Sequence, residues 1–507
     1  MNSQKPVRQT SQKLVTGGQI IFFGLLLLGV IVAGILWPLL AQLIVWGTIL
    51  FFTVFVSLKI VLWYASTKYS FAQFEQPSMY DHDLPVYTIF VPLYKEVSVL
   101  PRLMSGLHAL NYPKDKLQVL LLVEDETVDP GMHEAFQAYD LGRNAPFASL
   151  LQIPNVQPRG KQKALNIGLE HTQGKYAVIY DAEDIPEPNQ LLKAVGRFGS
   201  ADAIVGCLQA RLFFDNEQSS WVSRLLWTEY VIHFEWILKG LAQLGLVPPL
   251  GGTSNHFRVD ALHAIALDRS QLPIGAEGIG AWDPWNVTED ADLAGALTLH
   301  GYKIEMLDSV TYEIATRSVG DLLPQRSRWL KGYLQTGLVY LRSPLRTMKK
   351  MGPIRWFVYV LFLLGTPLSI LLSTLSWILT IVYFSTRSEA IERLFPWPLL
   401  YLGTLLLVFG NFALFMQHVI AAHKREGHTT VKWLLLLPVW QQLATASLLI
   451  AIRELLQPSK RSTWRKTTHE HDLETTSVSS YHEATTVELP VIQPAQQERR
   501  VAEPDPV

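Results

Sequence analysis

The sequence has one cysteine, Cys207, in 507 residues, so no internal disulfide can form and nothing points to an oxidising compartment for the folded part. It also lacks an excess of charge of either sign. Lys and Arg number 43 against 44 Asp and Glu, a formal net charge of -1, which argues against a nucleic-acid partner. Ionisable residues are few in the long apolar stretches, where transporters place them along their pathways, so a transporter is disfavoured. An appended regulatory domain is not evident, because beyond about residue 470 the chain turns to Ser, Thr, Glu and Pro, the composition of a disordered tail.

What is abundant is apolar residue. At 49% of the chain it suffices for one globular domain of about 250 to 300 residues and several membrane spans besides. Residues 20–40 and 44–64 are two apolar stretches, each about the 20 residues a helix needs to cross the hydrocarbon core. A cleaved signal peptide fits less well, since its apolar core is only about 7 to 15 residues long and here a second span follows at once. Residues 356–384 and 399–420 read as two more spans, the first tilted or beginning as a surface helix near Pro367.

A fifth apolar stretch, 433–452, carries Pro438, Gln441 and Gln442 and is basic on both sides, with Lys424, Arg425 and Lys432 before it and Arg453, Lys460 and Arg461 after it. Cytoplasmic loops collect Lys and Arg, which puts the N-terminus (Lys5, Arg8, Lys13), the Arg342, Arg346, Lys349, Lys350 and Arg355 cluster and both flanks of the fifth stretch inside. Four crossings then fit better than five, with 433–452 interfacial or re-entrant and the polar block between the spans on the cytoplasmic side.

Within that block, 86–92, 119–123 and 176–180 are short runs rich in β-branched and apolar residues, as buried parallel strands are. Helical patterns at 98–110 and 161–171 lie between them, so the alternation predicts an α/β sheet with a crevice at the strand ends. Each strand runs out into polar residues: Tyr94-Lys95-Glu96, then Glu124-Asp125-Glu126, then Asp181-Ala182-Glu183-Asp184. One such cluster could simply cap the following helix; three in succession favour a ligand site. Further on come Gly251-Gly252 and the turn to His256, then Thr288-Glu289-Asp290, then Gln325-Arg326-Ser327-Arg328-Trp329. Gln325, Arg328 and Trp329 share a helix face, since positions i, i+3 and i+4 do. A lone His such as His256 is more often packed than metal-bound. Trp221, Leu225, Leu226, Trp227, Tyr230 and Trp236 mark an aromatic helix, either interfacial or buried.

The order of these motifs resembles that of the membrane-embedded family 2 glycosyltransferases, the group of cellulose, chitin and hyaluronan synthases, over roughly residues 85–345. Within the group, the run from Tyr180 to Pro188 and Trp464, Lys466, Thr467 and His469 are similar to bacterial biofilm exopolysaccharide synthases.

The resemblance implies a GT-A-type nucleotide-sugar-binding domain with a mixed, mostly parallel sheet, inserted between transmembrane helices. The division is 1–65 (N-terminus and two spans), 66–345 (the glycosyltransferase domain), 346–455 (two spans and the fifth helix) and 456–507 (the tail). It further implies a multi-pass protein of the cell membrane, cytoplasmic in its catalytic part. The donor would be a nucleotide sugar with uridine diphosphate as leaving group, the acceptor a polysaccharide or a lipid, and accessory subunits are compatible with it.

By the same resemblance Glu96, Asp125 and Lys161 face the donor, and Asp181 with Glu183 matches the Asp-x-Asp element that holds Mg2+ or Mn2+ at the diphosphate. Glu replaces the second Asp, which leaves Asp184 as a rival ligand. Both ions prefer oxygen ligands. Arg159, Lys161 and Lys163 could otherwise be a solvated helix start. Asp290 matches the catalytic base, with Glu289 and Asp292 as rivals and helix-terminal acids as the plain alternative. Gln325, Arg328 and Trp329 match the element over the diphosphate and the acceptor sugar, where Arg pairs with phosphate in a fork. A single-sugar transfer to lipid and a non-catalytic nucleotide-sugar-binding membrane protein are the competing functions.

Overall fold

The structure, a computed structural model, describes residues 8–36, 38–267, 271–273, 278–423 and 428–462. Trp464, Lys466, Thr467 and His469, the proposed disordered tail, and Lys424 and Arg425 lie outside the described residues. Helices Gly17–Leu36 and Pro38–Lys68 come first, and Pro353–Thr386, Trp397–His423 and Leu437–Leu456 come last. Among the described residues, four helical segments are long and apolar enough to cross a membrane: 42–68, 353–386, 397–423 and 432–456. Large apolar side chains such as Phe22, Leu25, Phe409 and Phe412 stand more than half exposed on these outer helices, as lipid-facing surfaces do.

Between the two groups lies one eight-stranded sheet. Its strands are β1 (Tyr87–Leu93), β2 (Leu117–Glu124), β3 (Ala148–Ile153), β4 (Tyr176–Ile179), β5 (Ile185–Pro186), β6 (Val205–Phe214), β7 (Asn255–Arg258) and β8 (Lys303–Glu313). The order is β3-β2-β1-β4-β7-β6-β8-β5. Strands β3, β2, β1 and β4 run parallel, as do β6 and β8, whereas β7 is antiparallel to both its neighbours.

The parallel strands read as unbroken apolar runs because both faces are covered. In β1 and β2, Phe90, Leu120 and Leu122 pack on one side with Trp282 and the helix Glu289–Leu299. The alternate residues Ile89, Val91, Val119 and Leu121 pack on the other, against Leu100, Leu103 and Leu107. This is the strand period of two. The aromatic helix Trp221–Val231 is buried, with Leu225, Leu226 and Trp227 at most 2% exposed; it packs against Leu434 and Trp440 of the last apolar segment.

Helix Val319–Tyr340 joins the domain to the later apolar helices. Its Lys331 pairs with Glu454 at 2.8 Å and donates to the Lys460 carbonyl at 3.2 Å. Its Gly332 passes so close to the loop before helix Glu289–Leu299 that a Cβ there would lie 2.0 Å from Thr288 Oγ1 and 2.6 Å from Thr288 Cβ. Gly332→Ala should therefore cost about 1–3 kcal/mol, visible as a lower thermal midpoint in lipid nanodiscs; an unchanged midpoint would mean the loop yields freely.

Candidate active site

Parallel strands bring their carboxyl ends to one edge, and there the polar residues after β1, β2 and β4 border a single cavity of about 1020 Å³. Eight of the nine residues singled out from the sequence line it: Glu96, Lys161, Asp181, Glu183, Asp290, Gln325, Arg328 and Trp329. Asp125 does not. It is partly exposed, accepts from the Thr127 N–H at 3.0 Å, the Thr127 hydroxyl at 2.6 Å and Gln152 at 3.0 Å, and those bonds hold its carboxyl below the usual range. The neighbouring Glu124 lines the cavity instead, paired with Lys163 at 3.1 Å, while Lys163 also donates to the carbonyls of Pro154 and Val156. Lys163 is thus buried in the fold, not solvated at a helix start.

Lys161, the first residue of helix Lys161–Glu170, projects into the crevice. It pairs with Asp181 and donates to the Gly252 carbonyl at 2.7 Å. The Gly251-Gly252 turn thereby bridges the acidic strand end and Asp290, whose Oδ2 would lie 3.6 Å from a Cβ at Gly252. Burial opposes the Lys161 charge, but Asp181 and Glu289 raise its pKa nonetheless. Burial likewise raises Asp181, outweighing the pull of Lys161.

Asp184 is turned away from the crevice. One carboxylate oxygen accepts the Asp181 N–H at 2.8 Å and the Thr253 hydroxyl, while the other is buried without a hydrogen-bond partner. Glu183 borders the cavity. Glu313, at the end of β8, joins the same acidic wall, raised well above its ordinary value by burial and by Asp184, Glu183 and Asp181. No local motif marks it in the sequence. Among the described residues no three His, Cys, Asp or Glu side chains converge as a metal cage.

On the other wall, Thr288 immediately precedes helix Glu289–Leu299 and the Asp290 carboxylate accepts its neighbour's N–H at 2.6 Å. Burial raises Asp290, with Lys161 and Arg328 pulling the other way. Burial and then Asp290 push Glu289 up to about 7. Arg328 faces these acids, makes no ion pair among the described residues, and its buried Nε has no hydrogen-bond partner. Arg326, by contrast, is committed, pairing with Glu229 and lying 4.4 Å over the Trp440 ring. Trp329 lies 6.2 Å from the Tyr230 ring. His256 is a core residue, bonded to Tyr87 at 2.7 Å and Gln190 at 3.1 Å and pushed down to about 3 by burial.

The cavity does not end at the domain surface. It continues past Trp329 and Tyr230 to Lys59, Trp63, Phe362 and His418, on helices Pro38–Lys68, Pro353–Thr386 and Trp397–His423.

A sheet of this order with a crevice between acids and an arginine defines a nucleotide-sugar transferase fold of the GT-A type. A solved mannosyltransferase from Pyrobaculum calidifontis, PcManGT, crystallised with GDP-Man and Mn2+, matches it at a TM-score of 0.51 and 18% identity, covering 80% of this chain and 99% of that one. The family model for glycosyl transferase family 2 matches residues 88–263, and that for glycosyl transferase family group 2 matches residues 176–420. The chain belongs to the family 2 glycosyltransferases.

Similar proteins include the probable glycosyltransferase YdaM of Bacillus subtilis, 23% identical over 57% of this chain and 65% of that protein. The beta-monoglucosyldiacylglycerol synthase of Nostoc sp. is 26% identical over 57% of this chain and 58% of its own length. The poly-beta-1,6-N-acetyl-D-glucosamine synthase of Staphylococcus aureus is 23% identical over 59% and 68%. The chain thus spans less than two thirds of the first two relatives.

Because Glu289 is raised in the folded state, the stability it contributes is present below the ordinary carboxylate range and lost as pH rises through about 7. The thermal midpoint should fall between pH 5 and 8, and Glu289→Gln should flatten that fall; an identical profile in the variant would count against a buried, raised Glu289.

Proposed function

We propose that the protein is an inverting, metal-dependent glycosyltransferase that elongates a polysaccharide from a uridine-diphosphate sugar at the cytoplasmic face of the membrane. The observation that carries this reading is the continuity of one cavity, from Lys161 and Asp181 through Asp290 and beneath Trp329 to the apolar helices. A growing chain needs such a path, and rings such as Trp329, Tyr230 and Phe362 along it suit sugar faces. Its apolar wall of Leu58, Leu62 and Leu414 also supports a second reading, transfer of one sugar to a lipid acceptor held among those helices.

In this mechanism Asp290 takes the proton of the acceptor hydroxyl as its oxygen bonds to the anomeric carbon, and the bond from that carbon to the diphosphate oxygen breaks. One displacement from the opposite side inverts the centre. Lys161 and Arg328 oppose the burial that raises Asp290, and Arg328, free of a carboxylate partner, is available to the departing diphosphate. Asp181 and Glu183 supply carboxylate oxygens on the cavity wall, a donor set that fits Mg2+ or Mn2+ completed by diphosphate oxygens. Such an ion would neutralise the charge building on the leaving group. Asp184, committed to Asp181 and Thr253, braces that turn. Glu96 and Glu124 border the donor end; Asp125, outside the cavity, would reach a nucleotide only at its rim.

Asp290→Asn should abolish transfer, about a 100-fold loss or more, with donor affinity retained; joint loss of affinity would remove Asp290 as the base. Nucleoside diphosphate release by the protein in lipid, with each common uridine-diphosphate sugar and with magnesium, manganese or chelator, tests the reaction. Release abolished by chelator and lost in Asp181→Ala is expected, and release indifferent to both would sink the metal assignment. Sizing the product then separates polymer from glycolipid.

A further inference from the structure

The helix that begins with Glu289 and Asp290 is held in part from outside the sheet domain. Residues 8–13, ahead of the first apolar helix, lie along its flank, and Arg8 enters the fold, 6% exposed. Its Nη2 pairs with Asp292 Oδ2 at 2.6 Å, and its Nη1 donates to the carbonyls of Ala281 at 2.5 Å and Ile265 at 3.2 Å. The Ser11 N–H donates to Asp283 Oδ2 at 2.6 Å. Gln271 donates to the Arg8 carbonyl at 3.0 Å, and Arg342 donates to the carbonyls of Thr10 and Lys13. Asp283 and Asp292 are almost fully buried, and Arg342 spends its guanidinium on the segment's carbonyls, so Arg8 is the cation that pairs with Asp292.

Asp290 and Asp292 are two residues apart on one helix, which sets them on roughly opposite faces. One lines the cavity; the other meets Arg8. On the same helix Tyr359 donates to the Ala291 carbonyl and Tyr340 to the Asp292 carbonyl at 3.4 Å. Gly295 allows that approach, since a Cβ there would lie 2.1 Å from Tyr340 Oη and 2.8 Å from Tyr359 Oη.

We propose that residues 8–13 form a strap and that Arg8 is a positioning residue, fixing the first turn of Glu289–Leu299 and through it the aim of the Asp290 carboxylate. This rests on the reading of Asp290 as the base. Because a displacement of about 1 Å can cost about 100-fold in rate, loosening that turn acts on the chemical step and spares donor binding at the other wall.

The test is steady-state kinetics of the full chain in nanodiscs, with hydrogen exchange over residues 289–299. Arg8→Gln should lower kcat by about tenfold or more, leave donor KM within about twofold and speed exchange in that helix; Arg8→Lys, which keeps the charge, should recover part of the rate. A wild-type kcat in Arg8→Gln, or a loss shared equally by kcat, donor KM and exchange across the whole sheet, would overturn the proposal. If Arg8→Gln does not fold, Ser11→Pro withdraws one N–H from Asp283 without altering charge and is judged by the same criteria. Asp290→Asn run in parallel separates the two readings. Should it retain transfer, the base assignment falls, while exchange over 289–299 in the Arg8 variants still decides whether the strap holds that helix.

Discussion

The close passage of helix Val319–Tyr340 over the start of helix Glu289–Leu299 is the constraint on which the rest depends. Gly332 admits Thr288 where any side chain would collide, and Gly295 admits Tyr340 from the same neighbour. These contacts, with the Tyr340 hydroxyl donating to the Asp292 carbonyl, bring Arg328 and Trp329 to the same cavity as Asp290. Because Val319–Tyr340 is also tied to the last apolar helix through Lys331 and Glu454, the separation of the cavity's two walls is fixed by packing that includes membrane-length elements. A soluble sheet domain alone would lack one wall.

Charge in the cavity is arranged unevenly. Around Asp181, Glu183, Glu289, Asp290 and Glu313 stand Lys161 and Arg328, with Lys59 and Arg159 also on the cavity wall, in a half-buried space where interactions are stronger than in water. Burial raises several of these carboxyls, so the acidic wall has a strong appetite for positive charge. Lys161 answers part of it through Asp181 and is anchored by the Gly252 carbonyl. Arg328 remains uncommitted, which fits a group meant for an incoming anion.

Much of this was legible in the sequence, for identifiable reasons. Strands β1, β2 and β4 announce themselves because both faces are buried and, apart from Thr88, Gln118 and Glu124, their residues are apolar. Strand β3 sits at the sheet edge half-exposed, and β5 has two residues, so neither leaves a pattern. The motif order located eight cavity residues, yet could not tell which of the adjacent Glu124 and Asp125 turns inward, because that depends on where the strand ends. Asp184 is drawn from the crevice by the Asp181 N–H and by the hydroxyl of Thr253, which is distant in sequence. Arg8, Tyr340 and Glu313 have no local signal at all, since each acts through contacts made across the fold.

The span between Arg8 and Asp292 has a consequence for biosynthesis. The two are 284 positions apart, and Lys331 lies 123 from Glu454, so the ends of the chain close on the middle. Closing loops of that length is slow relative to forming local structure. Arg8 must remain unpaired at least until Asp292 and the strands before it have been made. The segment carrying Glu454 is made later still. A nascent chain thus holds an assembled sheet well before it holds a finished cavity, which helix Leu437–Leu456, made after the sheet, completes.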